Sequence, residues 1–177
     1  TEPPPGKLQV DQALEALENY FQTIDWGQSP DPFMTKTSMF EALLYIFSAP
    51  FAHEFMKIKR RKFGVLDTRG PRFLYIYGPS QNGKSTFLRF ALKLLTGHNF
   101  QPFSGSDFSK RKILNALSIG TVFPLVFDDL APGQKGSFEE VLKSFWEVWW
   151  NDESISPQIL MSSNVYNLKD WAKSRLK

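Results

Sequence analysis

The chain has 177 residues, enough for one compact domain with a small helical appendage. Hydrophobic residues make up 42% of it and aromatic residues 15%, so a large core can form. The lack of cysteine excludes a disulfide framework and a thiolate metal site, and with only 2 histidines a histidine metal cluster is not expected. The net charge of +3 is compatible with a nucleic-acid partner but does not require one.

No signal-peptide pattern opens the chain, and no apolar run in it is long enough to span a bilayer. We therefore expect an intracellular protein without a membrane partner, cytoplasmic, or nuclear if it comes from a virus of eukaryotes. The predicted organisation has three parts: a Pro-rich disordered lead (1–10), a helical N-terminal unit (11–64) and an α/β core (65–177). We expect that the core could be truncated at its C-terminal end.

The N-terminal unit is predicted to contain two or three helices. Asp11 is the expected N-cap of the first, and residues 25–34, with a glycine and two prolines, predict a loop after it. Ser38 and Glu41 have the spacing of a capping box that would begin the second helix. Pro50 is expected to interrupt that helix, and a further helical stretch follows.

The densest basic cluster of the chain lies at the end of this helical stretch. Its members are Lys57, Lys59, Arg60, Arg61 and Lys62. One interpretation is a solvated helix end, where cations complement the helix dipole. The other is a contact with a phosphate backbone, in which each neutralised phosphate releases counterions. The sequence leaves both open.

Residues 72–92, RFLYIYGPSQNGKSTFLRFAL, carry the most specific motif. Gly78, Gly83, Lys84 and Ser85 have the spacing G-x-x-x-x-G-K-[ST], placed between a predicted buried strand and a predicted amphipathic helix. In that context the glycines let consecutive N–H groups turn toward phosphates, and the helix adds the positive end of its dipole. The motif predicts a binding site for a nucleoside triphosphate.

Individual roles follow from the side chains of this loop. Lys84 is expected to reach the β- and γ-phosphates, Ser85 to ligate Mg²⁺, and Thr86 to lie near the α-phosphate. The predicted nucleotide-binding residues form one continuous run: Gly78, Pro79, Ser80, Gln81, Asn82, Gly83, Lys84, Ser85 and Thr86.

Strands and helices alternate through the rest of the core, which implies a parallel, doubly wound sheet. The predicted strands lie at 73–77, 100–105, 121–130 and 157–161. The predicted helices lie at 84–95, from Ser106 or Asp107 onward, from the Ser137–Glu140 capping box onward, and at 167–176.

Two acids end the strand at 121–130, where they can serve the bound phosphates. We assign Asp128 to Mg²⁺, which prefers oxygen ligands, and Asp129 to the attacking water as its general base. The two roles could be reversed, and the pair could also be solvated residues of the following turn.

Two further residues are candidates for the catalytic set. Asn164 follows a strand expected to neighbour the phosphate loop, where its amide could touch the γ-phosphate or position the water; an isolated Asn is otherwise a frequent helix N-cap. Arg175 could act in trans as an arginine finger in a neighbouring copy, or be a surface residue of the last helix.

The order GPSQNGKST, VFDDL, PQILMSSN resembles the Walker A, Walker B and sensor-1 series of the AAA+ class of P-loop NTPases, and most of all that of superfamily III helicases. The resemblance covers residues 72–177. It implies a three-layer α/β/α core after a helical N-terminal unit, ATP and Mg²⁺ as cofactors, and a homo-oligomeric ring or filament with the nucleotide between subunits. Superfamily III helicases carry a basic hairpin before the Asn strand, whereas this chain has the acidic NDESIS there.

Three functions are compatible with these motifs to different degrees. The first is an oligomeric ATP-hydrolysing helicase-like motor on nucleic acid, and the second is a regulatory ATPase switch of a signalling or defence protein. The third, a small-molecule kinase, is disfavoured, because the segment APGQKG and the aromatic helix after it do not resemble an acceptor pocket with a cationic lid.

Overall fold

The computed structural model describes residues 6–63, 72–131, 137–147 and 155–165. The chain divides into two compact units, Thr1–Leu43 and Leu44–Lys177. The predicted closing helix at 167–176 lies outside the described residues.

The first unit begins with helix α1, Lys7–Gln22, which is followed by a 3-10 turn, Thr23–Trp26. The prediction of Asp11 as N-cap is wrong, because the N-cap is Gly6, five residues earlier, and the helix begins at Lys7, within the stretch predicted as a disordered lead. The backbone N–H of Gly6 donates to Oε1 of Gln9 at 2.9 Å, and this bond satisfies a donor that the helix itself leaves unpaired.

Helix α2 spans Pro32–Ser48 and also begins earlier than predicted. Asp31 precedes it and accepts a hydrogen bond from the backbone N–H of Met34 at 3.0 Å, while Pro32 occupies the first helical position, where its missing N–H costs nothing. The capping box at Ser38 is therefore wrong as a helix start, since Ser38 lies inside α2. The predicted loop at 25–34 is confirmed only between the 3-10 turn and Pro32.

The second unit confirms the interruption at Pro50. A 3-10 turn, Ala49–Phe51, separates α2 from helix α3, Ala52–Phe63, which carries the basic cluster in its second half. His53 and Met56 are the buried residues of α3, and Met56 belongs to the core under the sheet.

The sheet of the second unit is parallel, as predicted, and has the strand order β1-β4-β3-β2 in the described part of the chain. Its strands are β1 (Phe73–Tyr77), β2 (Phe103–Ser104), β3 (Leu125–Leu130) and β4 (Ile159–Ser163). Helices α4 (Lys84–Thr96), α5 (Lys110–Ile119) and α6 (Ser137–Glu147) connect and flank them. The predicted three-layer α/β/α class is confirmed.

Several boundaries differ from the prediction. The strand expected at 100–105 is limited to β2. The helix expected from Ser106 or Asp107 is present as α5 but begins later, because Gly105–Asp107 form a 3-10 turn. Helix α5 starts only after Ser109, whose hydroxyl caps it. The last strand lies two residues later than predicted, at β4.

The core lies between the sheet and helix α6. Phe73 of β1 and Phe145 of α6 are fully buried and meet edge to face, with ring centroids 5.5 Å apart. Phe127 of β3 and Phe108 meet in the same way at 5.0 Å. Helix α6 contributes four buried side chains to this core, Phe138, Val141, Leu142 and Phe145. Within the described ranges, no helix is both long and apolar enough to cross a bilayer.

Candidate functional site

The loop after β1 ends at the N-terminus of helix α4. Gly83 is the N-cap of α4 and has a φ of 74°, and the first helical hydrogen bond runs from Phe87 N to its carbonyl at 2.8 Å. The N–H groups of Lys84, Ser85 and Thr86 precede that bond and so have no acceptor within the helix. Together with the helix dipole they form an anion-binding end.

The backbone of this loop differs in one respect from the sequence argument. Of the two motif glycines, only Gly83 has a positive φ, and Gly78 does not. The second left-handed residue of the loop is Gln81, with a φ of 65°. Alternation of right-handed and left-handed residues turns successive N–H groups of a loop toward a common point, which forms a nest for an anion.

Lys84 is anchored by three hydrogen bonds. Its Nζ donates to the carbonyl of Gly78 at 2.6 Å, to the carbonyl of Pro79 at 2.7 Å and to Oδ1 of Asn164 at 2.8 Å. An ammonium has three donors, so these acceptors use all of them. The cation is thereby held against the loop and is joined to the strand that lies next to β1.

Burial lowers the pKa of Lys84 below the usual range of a lysine, and the charge of Asp129 and then that of Asp128 oppose this shift. The three groups therefore share one electrostatic environment, although they come from different elements of the chain. The charged form of Lys84 is supported chiefly by the acid pair and by its carbonyl acceptors.

Asn164 connects the lysine to the acid pair. While its Oδ1 accepts from Lys84, its Nδ2 donates to Oδ1 of Asp129 at 3.0 Å. This is possible because β4 lies between β1 and β3, so that the residue after β4 stands between the phosphate loop and the end of β3. The structure thus brings together predicted site residues that are far apart in sequence. Arg175 lies outside the described residues.

The end of β3 contains a bulge that the sequence analysis missed. In the register of the two strands, Phe127 pairs with Met161 and Leu130 pairs with Ser163. Two residues of β3, Asp128 and Asp129, therefore lie opposite the single Ser162 of β4. Asp129 has a φ of 59°, in the left-handed region.

Ser162 is hydrogen-bonded to both acids of this bulge. Its hydroxyl donates to Oδ1 of Asp128 and accepts from the backbone N–H of Asp129 at 2.9 Å. Ser162 is fully buried, whereas the Asp129 side chain reaches solvent. The pair of serines before Asn164 was visible in the sequence, but nothing in it indicated that one of them would bridge the acids.

A Mg²⁺ ion fits the donor set of this site. The hydroxyl of Ser85 and the second carboxylate oxygen of Asp128 would supply oxygen ligands, and Mg²⁺ commonly binds through one or two protein groups, substrate phosphates and water. The described residues contain no cluster of three or more acidic, histidine or cysteine side chains that could hold a metal ion.

The other residues predicted to bind nucleotide surround this centre. Pro79, Ser80, Gln81 and Asn82 are exposed along the loop, and Thr86 is exposed in the first turn of α4. An exposed run of backbone beside an anchored lysine is open to a ligand from solvent.

A parallel sheet, a Gly-rich loop that leads from its first strand into a helix, and an acid pair at the end of another strand define the class of P-loop NTPases. The family model for the Aq_aa27 P-loop NTPase domain matches residues 7–167 of the chain. The chain therefore belongs to that family, and its helical N-terminal residues are part of the matched domain. No curated protein was found to match it.

Proposed function

We propose that this P-loop NTPase is a Mg²⁺-dependent ATPase of the AAA+ class, akin to superfamily III helicases, which works as an oligomer on nucleic acid. The observation that carries the hydrolytic part is the hydrogen-bonded series Lys84–Asn164–Asp129. In this series the Asn164 amide is hydrogen-bonded both to the phosphate-binding cation Lys84 and to the carboxylate of Asp129. A carboxylate in this position can accept a proton from a water molecule beside the bound phosphates.

The chemistry can be assigned to the side chains of this series. Lys84 neutralises charge on the β- and γ-phosphates, as the lysine of a phosphate loop does. Asp129 accepts a proton from the attacking water through the carboxylate oxygen that Asn164 does not hold. The amide of Asn164 fixes the direction of that carboxylate. Ser85 and Asp128 would hold Mg²⁺, which would supply positive charge to offset the negative charge of the phosphates.

The oligomeric part of the proposal rests on the resemblance to AAA+ proteins. In that class the nucleotide lies between subunits, and an arginine of one subunit completes the site of the next. Arg175 is the residue that we propose for this role. A trans-acting arginine makes activity depend on protein concentration, so the specific activity per subunit should rise as the protein assembles.

The nucleic-acid part rests on the surface of α3. Arg61 and Lys62 are exposed in its last turn, and the side chain of Lys62 lies 5.4 Å from the ring centre of the exposed Phe63. Lys57 is paired with Glu54 at 3.2 Å and is therefore a weaker candidate for a phosphate contact. Lys59 and Arg60 are half-buried. Exposed cations beside aromatic rings are the means by which proteins hold single-stranded nucleic acid.

The deciding experiment is a measurement of ATPase rate with and without single- and double-stranded DNA, at two protein concentrations. We expect hydrolysis that is stimulated by DNA and rises more than in proportion to protein. Lys84→Ala is the reference for background activity. If the parent protein hydrolyses ATP no faster than this variant, the ATPase proposal is wrong.

The second candidate, a regulatory ATPase switch, is favoured by the contacts of Lys84. Because all three of its donors are used by protein acceptors, a phosphate oxygen must displace at least one of them. Exchange of the Asn164 contact would release that side chain and couple the nucleotide to the end of β4. A switch predicts ATP-dependent assembly with hydrolysis that DNA leaves unchanged, and the same experiment separates the two functions.

A further inference from the structure

We propose that Ser162 and Gly105 are positioning residues for hydrolysis: together they hold the bulge of β3 in the conformation that aims Asp129 at Asn164. This inference rests on the proposed ATPase function and adds to it two residues that touch neither phosphate nor metal. The bulge matters because successive side chains of a regular strand point to opposite faces of the sheet. A regular β3 could not present two adjacent carboxylates to one lysine.

Ser162 acts on the bulge from the strand beside it. Its hydroxyl bonds the Asp128 carboxylate and the Asp129 backbone at once. It is also the one residue of β4 opposite the two acids. Its hydrogen bond to the N–H of Asp129 replaces the ladder bond that a bulge disrupts, and that replacement keeps Asp129 in a left-handed conformation that a non-glycine residue rarely adopts.

Gly105 acts on the bulge from the opposite side, after β2. A Cβ atom on Gly105 would lie 2.3 Å from the carbonyl oxygen of Asp129, 2.5 Å from its carbonyl carbon and 2.6 Å from the nitrogen of Leu130. All three are backbone atoms, so no side-chain rotation could relieve the contact. Gly105 has no positive φ, and its requirement for glycine is therefore one of space.

The two contacts enclose the peptide of Asp129. The Ser162 hydroxyl accepts a hydrogen bond from the N–H of Asp129, and the backbone of Gly105 packs against the C=O of Asp129. These two contacts restrain the backbone dihedral angles of Asp129 on both sides of its Cα atom. Asp129 then reaches Asn164 at 3.0 Å. The contacts of Ser162 and Gly105 with the bulge involve no residue of the phosphate loop. Loss of these contacts should therefore impair hydrolysis and leave nucleotide binding intact.

The test uses Ser162→Ala and Gly105→Ala in the full chain, with Ser162→Thr as the variant that restores the hydroxyl. Displacement of a catalytic group by about 1 Å can reduce a rate by about 10²-fold, so we expect a loss in kcat of about that size in both alanine variants. The Kd for ATP, measured by titration without turnover, should stay at the parent value. Ser162→Thr should recover most of the lost kcat.

Ser163→Ala is the matched control, because Ser163 is equally buried and its hydroxyl donates to the carbonyl of Leu130 at 2.6 Å between the same two strands. It should lower the melting temperature about as Ser162→Ala does and keep kcat near that of the parent protein. If both serine variants lose kcat in proportion to their melting temperatures, the residues only stabilise the fold and the positioning role is wrong.

Crystal structures of the parent protein and of Ser162→Ala test the positioning role without an ATPase measurement, because they show the conformation of Asp129 directly. We expect Asp129 in the variant to leave the left-handed region or its contact with Asn164 to open beyond hydrogen-bond length. An unchanged Asp129 overturns the positioning proposal even if the ATPase is real. A parent protein without ATPase activity overturns the proposed function, while the two structures still decide whether Ser162 holds the bulge.

Discussion

Asn164 holds the carboxylate of Asp129 with one end of its amide, at 3.0 Å, while the other end accepts from the phosphate-loop lysine. A neutral amide can donate to a carboxylate through its nitrogen while it accepts from an ammonium through its oxygen. The contact therefore makes the direction of the proposed general base dependent on the position of Lys84. Any ligand that moves the lysine would act on the base through this side chain.

Replacing Asn164 with aspartate tests that dependence. The variant keeps the shape of the side chain but places a second carboxylate at hydrogen-bond distance from Asp129, and two such groups share a proton because like charges so close disfavour double ionisation. We expect kcat at neutral pH to fall by about 10²-fold, within the range for loss of a general base.

The pH–rate profile of Asn164→Asp identifies the cause. Its acidic limb should move to higher pH, so that part of the lost rate returns as the pH is raised. Asn164→Ala, which removes the amide without adding charge, serves as the control and should lose rate without that displacement. Equal profiles for the two variants would contradict the shared-proton explanation.

The two acids can be separated by Asp129→Asn and Asp128→Asn. Each substitution keeps the side-chain shape and removes one charge. We expect Asp129→Asn to bind ATP with parent affinity and to lose at least about 10²-fold in kcat, since it lacks the base. Asp128→Asn should instead need more Mg²⁺ for half-maximal rate, because a neutral amide is a weaker ligand for a hard cation. Lost ATP binding in Asp129→Asn would reverse the two assigned roles.

The sequence was sufficient for the fold because its local signals agree. The buried strand 73–77, the Gly-rich loop and the amphipathic helix from Lys84 each have the pattern of their observed state, and they occur in the order that a parallel sheet requires. The errors lie at boundaries. Capping residues compete, and Asp31 with Pro32 forms a helix start that is stronger than the predicted one at Ser38.

The candidate site was predictable as a set of residues but not as a geometry. Motif spacing indicated which side chains have suitable chemistry. The bulge at Asp129 depends on Ser162 from β4 and on the close approach of Gly105 after β2, and both are tertiary contacts between segments far apart in sequence. A lone glycine after a two-residue strand has no local pattern that reveals which backbone it will touch.

The basic end of α3 leads to a prediction about salt. Neutralising Lys59, Arg61 and Lys62 with glutamine should weaken binding to single-stranded DNA. The slope of log K against log salt concentration should fall by about 0.7 for each phosphate contact removed. Fluorescence anisotropy of a labelled oligonucleotide at several salt concentrations measures both quantities.

The control for this charge change removes three exposed cations from other helices: Lys93, Arg111 and Lys143. It lowers the net charge by the same amount, so any effect of net charge alone is common to both variants. We expect the control to keep the parent slope. Equal slopes in the two triple variants would show that α3 is a solvated helix end, as the other interpretation of the cluster holds.

The lowered pKa of Lys84 predicts how nucleotide affinity depends on pH. Burial is the main cause of the shift, and the charges of Asp129 and Asp128 oppose it. Phosphate oxygens beside the ammonium would raise the pKa again in the complex, because an anion favours the charged form. Between these two pKa values binding takes up a proton, so the affinity for ATP should fall as the pH rises, by up to about tenfold per pH unit.

Lys84→Arg separates this effect from a general loss of structure at high pH. A guanidinium stays charged throughout the accessible range, so the affinity of this variant, even if it is weaker at the outset, should be flat across the same window. Calorimetric titration with ATP in the absence of Mg²⁺ measures both proteins, and circular dichroism at each pH verifies that they remain folded. A decline of equal steepness in Lys84→Arg would show that some other group titrates, and a flat profile in the parent protein would show that Lys84 does not lose its proton below the usual range of a lysine.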